Sequence, residues 1–217
     1  MAVKTFNKNA NKQLTPHFQL KEMHCHGKGC CSTTKIDTNV VKLVEKMRVV
    51  LGAPINVESA YRCPRHNREV GGANGSGHVS GTALDITCEK SDRDRLAVLA
   101  ELVGVARIGK YMSANKKKMV HIGTGKKLHW INTNGYLPSS HSFIPLKYAK
   151  PIGKVTPKSA KKYVVYVQAC LYARGYDIKI DGEWKQKTQK AVDAFRLSKG
   201  WKKANYLKTK GIKELLK

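Results

Sequence analysis

Two side chains that can bind a metal ion lie seven residues apart in a glycine-rich stretch of the chain. They are His78 and Asp85, within the segment Ser76–Ile86. Imidazole nitrogen and carboxylate oxygen are both common ligands of zinc. Gly77 and Gly81 argue against a helix in this stretch and favour turns. The pair alone is weak evidence for a metal site, because His and Asp residues usually lie on the surface.

The residues that follow predict a strand that turns Asp85 away from the aliphatic side chains. The segment Thr82–Thr87 alternates, so Leu84 and Ile86 would point to one face and Asp85 to the other. His78 could then fold back towards the carboxylate across the turn.

A third candidate ligand, His121, lies on a second short predicted strand. Val120 and Ile122 flank it and would face the core, so that His121 projects from the opposite face. Two histidines and one aspartate that leave a fourth position open are typical of a catalytic zinc site rather than a structural one. The sequence therefore predicts a zinc site formed by His78, Asp85 and His121.

A second group of residues that can bind metal lies nearer the N-terminus. His24, Cys25, His26, Cys30 and Cys31 stand close together around two glycines. No CxxC pair stands opposite another, so the spacing is not specific for zinc. Two interpretations stay open: a structural zinc knuckle, or a tight glycine-rich turn with half-buried thiols. Without a secretory signal, the thiols are expected to be reduced.

The charge of the chain is unusual, with 41 Lys and Arg against 15 Asp and Glu, a net charge of +26. Such a surface attracts polyanions, which include nucleic acids, anionic cell-wall polymers and anionic lipids. Nucleic acid is disfavoured as the partner, because the sequence contains no recognisable nucleic-acid-binding motif. No run approaches the roughly 18 apolar residues of a membrane span. The first twenty residues are polar and basic, unlike a secretory signal peptide.

Hydrophobic periodicity predicts the elements that must position these residues. Helices are predicted over Asp37–Leu51, Ser91–Val103, Ser159–Arg174, Thr188–Lys199 and Thr209–Leu216, and strands over Ala53–Tyr61, Thr82–Thr87 and on both sides of the basic loop Asn115–Lys118. Asp37 can cap the first helix and Gly52 can end it. Ser91 and Asp94 have the spacing of a capping box. A glycine-rich loop is predicted over Asn67–Gly77.

The chain divides into four predicted segments. They are a flexible basic N-terminus (residues 1–15), a metal-site domain (16–148), a linker (149–158) and a small three-helix bundle (159–217). Residues 149–217 hold 18 Lys and Arg and 5 Asp and Glu, a net charge of +13. Half of the net charge therefore lies in a third of the chain, which suggests a targeting domain beside a catalytic one.

Several separate motifs occur in the order found in a known family. They are Ser59–Pro64 (SAYRCP), Val70–Ala73 (VGGA), Ser76–Ile86 (SGHVSGTALDI) and Val120–Gly125 (VHIGTG), with Trp130 beyond them. Over roughly residues 16–131 the sequence resembles the M15 family of zinc peptidases. That family contains D-Ala-D-Ala carboxypeptidases and L-Ala-D-Glu endopeptidases that cut peptidoglycan stem peptides, many of them bacteriophage endolysins. The resemblance implies an α+β, hedgehog/DD-peptidase-like fold with a small mixed or antiparallel sheet and flanking helices.

The resemblance also assigns roles to residues. It implies that His78, Asp85 and His121 hold Zn²⁺ and that Arg62 faces the scissile peptide. Zinc would make a bound water acidic and polarise the peptide carbonyl. A fixed guanidinium nearby would stabilise the oxyanion or hold a substrate carboxylate.

One expected group is missing from its usual place. These peptidases need a carboxylate that accepts a proton from the attacking water. In the family it stands three residues before the last histidine or two after it, and here those positions hold Lys118 and Gly123. Glu22, Glu58 and Glu101 are the candidates for this role elsewhere in the chain.

The C-terminal segment is similar to the three-helix type of peptidoglycan-binding domain, through Gly175–Tyr176, Ile180–Gly182 and Ala191–Phe195. The expected protein is therefore a monomeric zinc peptidase that lyses cell walls and is anchored to peptidoglycan by its C-terminal domain. It would accumulate in the host cytoplasm before lysis, or travel with the virion. The alternative is a catalytically impaired wall-binding or virion structural protein with a degenerate peptidase fold.

Overall fold

The computed structural model describes residues 3–111, 119–131, 135–136 and 141–217. The strands are β1 (Val3–Asn7), β2 (Gln13–Thr15), β3 (Phe18–Gln19), β4 (Thr33–Asp37), β5 (Asn56–Ser59), β6 (Ala83–Thr87), β7 (Arg107–Lys110), β8 (Val120–Gly123), β9 (Leu128–Ile131) and β10 (Gly135–Tyr136). The helices are α1 (Thr38–Leu51), α2 (Pro64–Glu69), α3 (Gly77–Ser80), α4 (Arg93–Val103), α5 (Lys161–Ala173), α6 (Gln186–Ser198) and α7 (Thr209–Glu214), with one 3₁₀ turn at Leu20–Met23. This mixture confirms the predicted α+β class.

A six-stranded sheet, in the order β10-β9-β7-β8-β6-β5, forms the centre of the part of the chain before the C-terminal helices. Its neighbours run antiparallel except β7 and β9, which run parallel. The predicted small mixed sheet is therefore confirmed. Strands β6 and β8 lie side by side in its middle, and their register sets Asp85 directly opposite His121. The predicted basic loop Asn115–Lys118 lies outside the described residues.

The main core lies between this sheet and the helices α1 and α4. It includes Val40, Val44, Leu84, Ile86, Leu96, Leu99, Ile108, Val120 and Ile122, all at most 1% exposed. Because side chains alternate along a strand, Asp85 and His121 leave β6 and β8 on the face away from these aliphatic residues. The packing of the core therefore fixes which face of the sheet presents the polar side chains.

The first helix is held at both ends as its sequence predicts. The carboxylate of Asp37 accepts hydrogen bonds from the backbone nitrogen of Asn39 and, at 2.7 Å, from the hydroxyl of Thr124. Gly52, with φ of +60°, ends the helix in the left-handed conformation that favours glycine. The contact with Thr124 also ties the start of α1 to the chain just beyond β8.

Three local predictions are corrected by the structure. The N-terminal segment expected to be flexible forms β1, which pairs with β4. Helix α4 is capped by Asp92, whose side chain accepts a hydrogen bond from the nitrogen of Arg95, and not by a Ser91–Asp94 box. The start of the loop predicted at Asn67 belongs to α2, which has a proline at its first position and no apolar stripe to reveal it.

The C-terminal helices α5, α6 and α7 surround a second core. It includes Val164, Val167, Leu171, Val192, Phe195, Leu207 and Ile212. Val155, in the segment predicted as a linker, joins this core and forms a bridge with Leu207. Helix α5 packs on α4, where Arg95 donates to the carbonyl of Tyr172 at 2.8 Å and stacks over its ring. Among the described helices, none is both long and apolar enough to cross a bilayer.

Candidate metal centre

His78 is positioned by the short helical turn α3, where the glycines had argued against any helix. The hydroxyl of Ser76 accepts a hydrogen bond from the His78 nitrogen at 3.2 Å and caps the turn. Gly81 ends it with φ of +74°. A side chain at Gly81 would also collide with the backbone of Lys35. The second glycine is thus required where the chain reverses, and one helical turn fits between the two.

The imidazole of His78 is fixed in one tautomer. Its Nδ1 lies 2.7 Å from the carbonyl oxygen of Ala60, which can only accept, so Nδ1 carries the proton. The lone pair of Nε2 is then buried, has no hydrogen-bond donor and lies 3.3 Å from Oδ2 of Asp85. Two electron-rich atoms so close together in a buried place are well suited to bind a cation between them.

Asp85 and His121 complete a set of three buried ligands. His121 donates from Nδ1 to Oδ1 of Asp85 at 2.9 Å. Burial by itself raises the pKa of Asp85, but the contacts with His121 and His78 outweigh it, and the net pKa lies below its usual range. Burial lowers the pKa of His121, which favours the neutral imidazole that metals bind. One ligand atom from each of the three residues lies within 4.8 Å of the other two.

Trp130 packs against His121, and a glycine makes this possible. The two ring centroids are 4.9 Å apart. Gly109 lies on β7 between them, and a Cβ at that position would overlap the indole. The small residue on β7 therefore allows a side chain from β9 to support a candidate ligand on β8.

Two of the three candidate ligands, His78 and His121, line a cleft of about 400 Å³. Residues 70–77, Arg62, Arg107, Tyr111 and Trp130 also line it, and the two histidines are buried. Sequence reasoning missed Arg107 and Tyr111, because only the strand order brings β7 beside β8. Within the described part of the chain, no carboxylate lines this cleft.

Arg62, expected to face the substrate, lies on the cleft wall and also contacts a ligand. Its guanidinium donates to Oδ2 of Asp85 at 2.8 Å and to the hydroxyl of Ser59 at 2.8 Å. It thus shares with His78 the same carboxylate oxygen. In this arrangement Arg62 stabilises the charge of Asp85 and also lines the cleft.

The three glutamates considered as proton acceptors all have structural contacts away from the cleft. Glu22 accepts from the backbone nitrogen of Gln19, and Glu58 accepts from the hydroxyl of Thr87. Glu101 accepts from Ser142, Phe143, Ile144 and Tyr148. None of the three lines the cleft. Of the two positions where the family has its acid, Lys118 lies outside the described residues and Gly123 lies on β8.

Replacing Glu101 by glutamine is expected to reduce stability and to leave chemistry alone. The variant loses charged acceptors for four hydrogen bonds, which should lower the free energy of unfolding by about 1–2 kcal/mol. Urea denaturation measures this change, with Glu89→Gln at an exposed position as the control. Any peptidase activity per folded molecule should be unchanged. If the Glu101→Gln variant kept its stability but lost its activity, Glu101 would again be a candidate for the general base.

Of the five residues predicted as possible metal ligands near the N-terminus, the structure brings together the three cysteines but not the two histidines. Cys25, Cys30 and Cys31 come together, and Cys63 joins them from the turn before α2. His24 instead contacts the hydroxyl of Thr34. The side chain of His26, in turn, is exposed. Cys63 stands far away in sequence, so no local spacing could have revealed it.

Comparison with known proteins identifies the family to which residues 16–123 are similar. Residues 16–123 match the model of a family described as Peptidase M15. The match includes His78, Asp85 and His121, and it ends at Gly123. No curated protein matches the chain.

Proposed function

Since residues 16–123 belong to the Peptidase M15 family, we propose that the chain is a zinc-dependent peptidase that hydrolyses peptidoglycan stem peptides. The observation that carries the metal dependence is the buried Nε2 of His78, without a donor and 3.3 Å from the carboxylate of Asp85. A cation satisfies both atoms at once. His121 supplies a third ligand atom, which lies within 4.8 Å of the other two.

Zinc suits this donor set better than magnesium or calcium, because two of the three ligands are imidazoles. His78, Asp85 and His121 would hold it. When bound, zinc supplies Lewis acidity that polarises a peptide carbonyl and makes water ionise near neutral pH. Three protein ligands leave room for substrate, as in catalytic rather than structural sites.

The residues around the ligands would bind and orient an anionic peptide. Arg62, which is paired with Asp85, and Arg107 both line the cleft and give its described lining a positive character. Stem peptides carry free carboxylates, and guanidinium groups bind carboxylates in a bidentate manner. Arg62 is itself held by Ser59 and Asp85, so its position is set before substrate arrives. This preorganisation favours stabilisation of developing negative charge.

The C-terminal helices would hold the enzyme on the cell wall. Support comes from the resemblance of this segment to peptidoglycan-binding domains and from its net charge of +13 over residues 149–217. Anionic wall polymers are natural partners for such a charge. The protein would act as a monomer, released from the host cytoplasm at lysis in the manner of a phage endolysin. A virion-borne enzyme would use the same two domains.

The decisive experiment is mass spectrometry of muropeptides incubated with the zinc-loaded full chain. New fragments should appear and should identify the bond that is cut. The same incubation with a chelator should yield none, and added zinc should restore them. Fragments that form equally well in the metal-free protein would contradict the proposal.

A second function is favoured by the lack of a carboxylate on the described lining of the cleft. Without a proton acceptor, the fold would serve as a wall-binding or virion structural protein. It would still bind zinc and muropeptides but release no fragments. The digestion above separates the two functions, provided that zinc content is measured on the same sample.

Wall binding is expected to be strong and sensitive to salt. The full chain with His78→Ala, which leaves the wall uncut, should sediment with nuclease-treated sacculi. Raising the salt from about 0.1 M to about 1 M should release most of it, because the Debye length falls from about 10 Å to about 3 Å. Sacculi stripped of anionic polymers are the control for charge alone. A chain that stays in solution with intact sacculi at low salt would exclude wall anchoring.

A further inference from the structure

Four cysteine side chains from two separate parts of the first domain meet at one point. Cys25, Cys30 and Cys31 belong to the loop between the 3₁₀ turn and β4, and Cys63 precedes α2. Their Sγ atoms all lie within 4.8 Å of one another. The Sγ of Cys30 is 3.3 Å from that of Cys25 and 3.6 Å from that of Cys31. All four are free thiols.

These separations fit a tetrahedral metal site. With zinc–sulfur bonds of about 2.3 Å, the sulfurs of a tetrahedron are roughly 3.8 Å apart. The cysteine sulfurs are already near that spacing. We infer that Cys25, Cys30, Cys31 and Cys63 form a structural zinc site, distinct from the centre at His78, Asp85 and His121.

The surroundings of the cysteines support bound thiolates. The backbone nitrogen of Cys63 donates to Sγ of Cys25 at 3.4 Å, and that of His66 donates to Sγ of Cys63 at 3.4 Å. Such donors offset the negative charge of metal-bound sulfur. Cys25 and Cys63 are at most 4% exposed, while Cys30 and Cys31 are half-buried. An ion could therefore enter from the side of Cys30 and Cys31.

The loop is shaped to bring its sulfurs inward. A Cβ at Gly27 would lie 2.6 Å from Sγ of Cys30 and 3.0 Å from the side chain of His66. Glycine at this position therefore lets the loop close over α2. All four ligands come from protein side chains, so no coordination position is left for substrate, which is typical of a structural zinc site.

The site would couple the N-terminal segment to the catalytic cleft. Cys63 directly follows Arg62, whose guanidinium lies beside Asp85. Metal bound at Cys63 would fix the turn that carries Arg62 against the loop of Cys25. The free energy of metal binding adds to the stability of the folded site, because the site forms only when the chain is folded. Loss of this metal should therefore loosen or unfold the turn. The inference does not depend on peptidase activity, since it requires only the four sulfurs.

Metal content and spectroscopy test the inference on the full chain. Wild-type protein should contain two zinc ions, and the double variant His78→Ala and His121→Ala should retain one. Cobalt(II) bound to that double variant should show the sulfur-to-metal charge-transfer bands and intense visible absorption of a tetrathiolate. Adding Cys30→Ser to the double variant should abolish these bands. Cys170→Ser, a buried thiol in the second domain, should change neither metal content nor spectrum.

Thiol counting gives an independent measurement. In zinc-loaded protein few thiols should react, and a strong chelator should expose four without denaturant. Cys88 and Cys170 are fully buried, and burial raises the pKa of Cys170 to about 12, so these two should react only after unfolding. Three results would each overturn the assignment. They are four reactive thiols in the zinc-loaded double variant, a mass loss that indicates disulfides, and the visible absorption of an iron–sulfur cluster. The cobalt spectrum is read on a variant with all four cysteines, so misfolding of a Cys→Ser variant cannot decide the result.

Discussion

Replacing His78 by alanine is expected to prevent zinc binding at the candidate centre and to lower the proposed peptidase activity by about 10³-fold or more, since bound zinc would supply the Lewis acid of the reaction. The variant loses the nitrogen that faces Asp85 and leaves the carbonyl of Ala60 without its donor. The second loss should cost about 1–3 kcal/mol of stability, because a buried acceptor remains unsatisfied. Circular dichroism and the zinc content should therefore show a folded protein that has lost one metal ion.

The matched control is His17→Ala. His17 is exposed and contacts Glu45 on α1, away from the cleft. It should keep activity within about twofold, as expected for a surface substitution. Added zinc should restore the activity of wild-type protein that has been treated with a chelator, and it should fail to restore the activity of His78→Ala. Full activity in His78→Ala would mean that the reaction does not use this centre.

The parts of the fold that the sequence predicted are those with local signals. Helix α1 has an apolar stripe, a capping aspartate at Asp37 and a glycine at Gly52, and it lies where these residues place it. The strands β6 and β8 contain alternating or β-branched residues around Asp85 and His121. Each of these signals is contained in a few neighbouring residues, so one sequence is enough to read it.

The features that the sequence did not predict depend on pairing between segments that are distant in the chain. The register that sets Asp85 opposite His121 arises from two strands that are far apart in the chain. The same holds for Arg107, which reaches the cleft because β7 lies between β8 and β9. Short helices such as α2 and α3 were missed for another reason: four to six residues are too few to show helical periodicity. Spacing therefore indicated the ligands but not what surrounds them.

Gly123 is the position where a single substitution should most increase activity. It follows His121 by two residues on β8, so a side chain there would project from the same face of the sheet as the imidazole. No residue on the described cleft lining can accept a proton as a carboxylate would. If a missing proton acceptor limits the reaction, Gly123→Asp should raise turnover by about 10²–10⁴-fold, the usual contribution of general base catalysis.

The backbone at Gly123 accepts an aspartate with a small cost. Its conformation is that of a strand and lies outside the left-handed region. A Cβ would lie 3.2 Å from the carbonyl oxygen of Thr82 and 3.4 Å from Cβ of Arg107, so the neighbours must shift by a few tenths of an ångström. We expect the substitution to lower the free energy of unfolding by about 1 kcal/mol, which is at the lower end of the usual cost of inserting extra atoms into a packed site. The new carboxylate would also lie near Arg107, which favours its ionised form.

The control for Gly123→Asp is Gly123→Asn, which has nearly the same shape but cannot act as a base. Steady-state rates on muropeptides, measured at equal zinc content, should rise for Asp and not for Asn. The gain should disappear as the pH falls through the pKa of the new carboxylate, because the protonated acid no longer accepts a proton. Equal rates in wild type and Gly123→Asp, with wild type already active, would show that the proton acceptor comes from elsewhere in the chain.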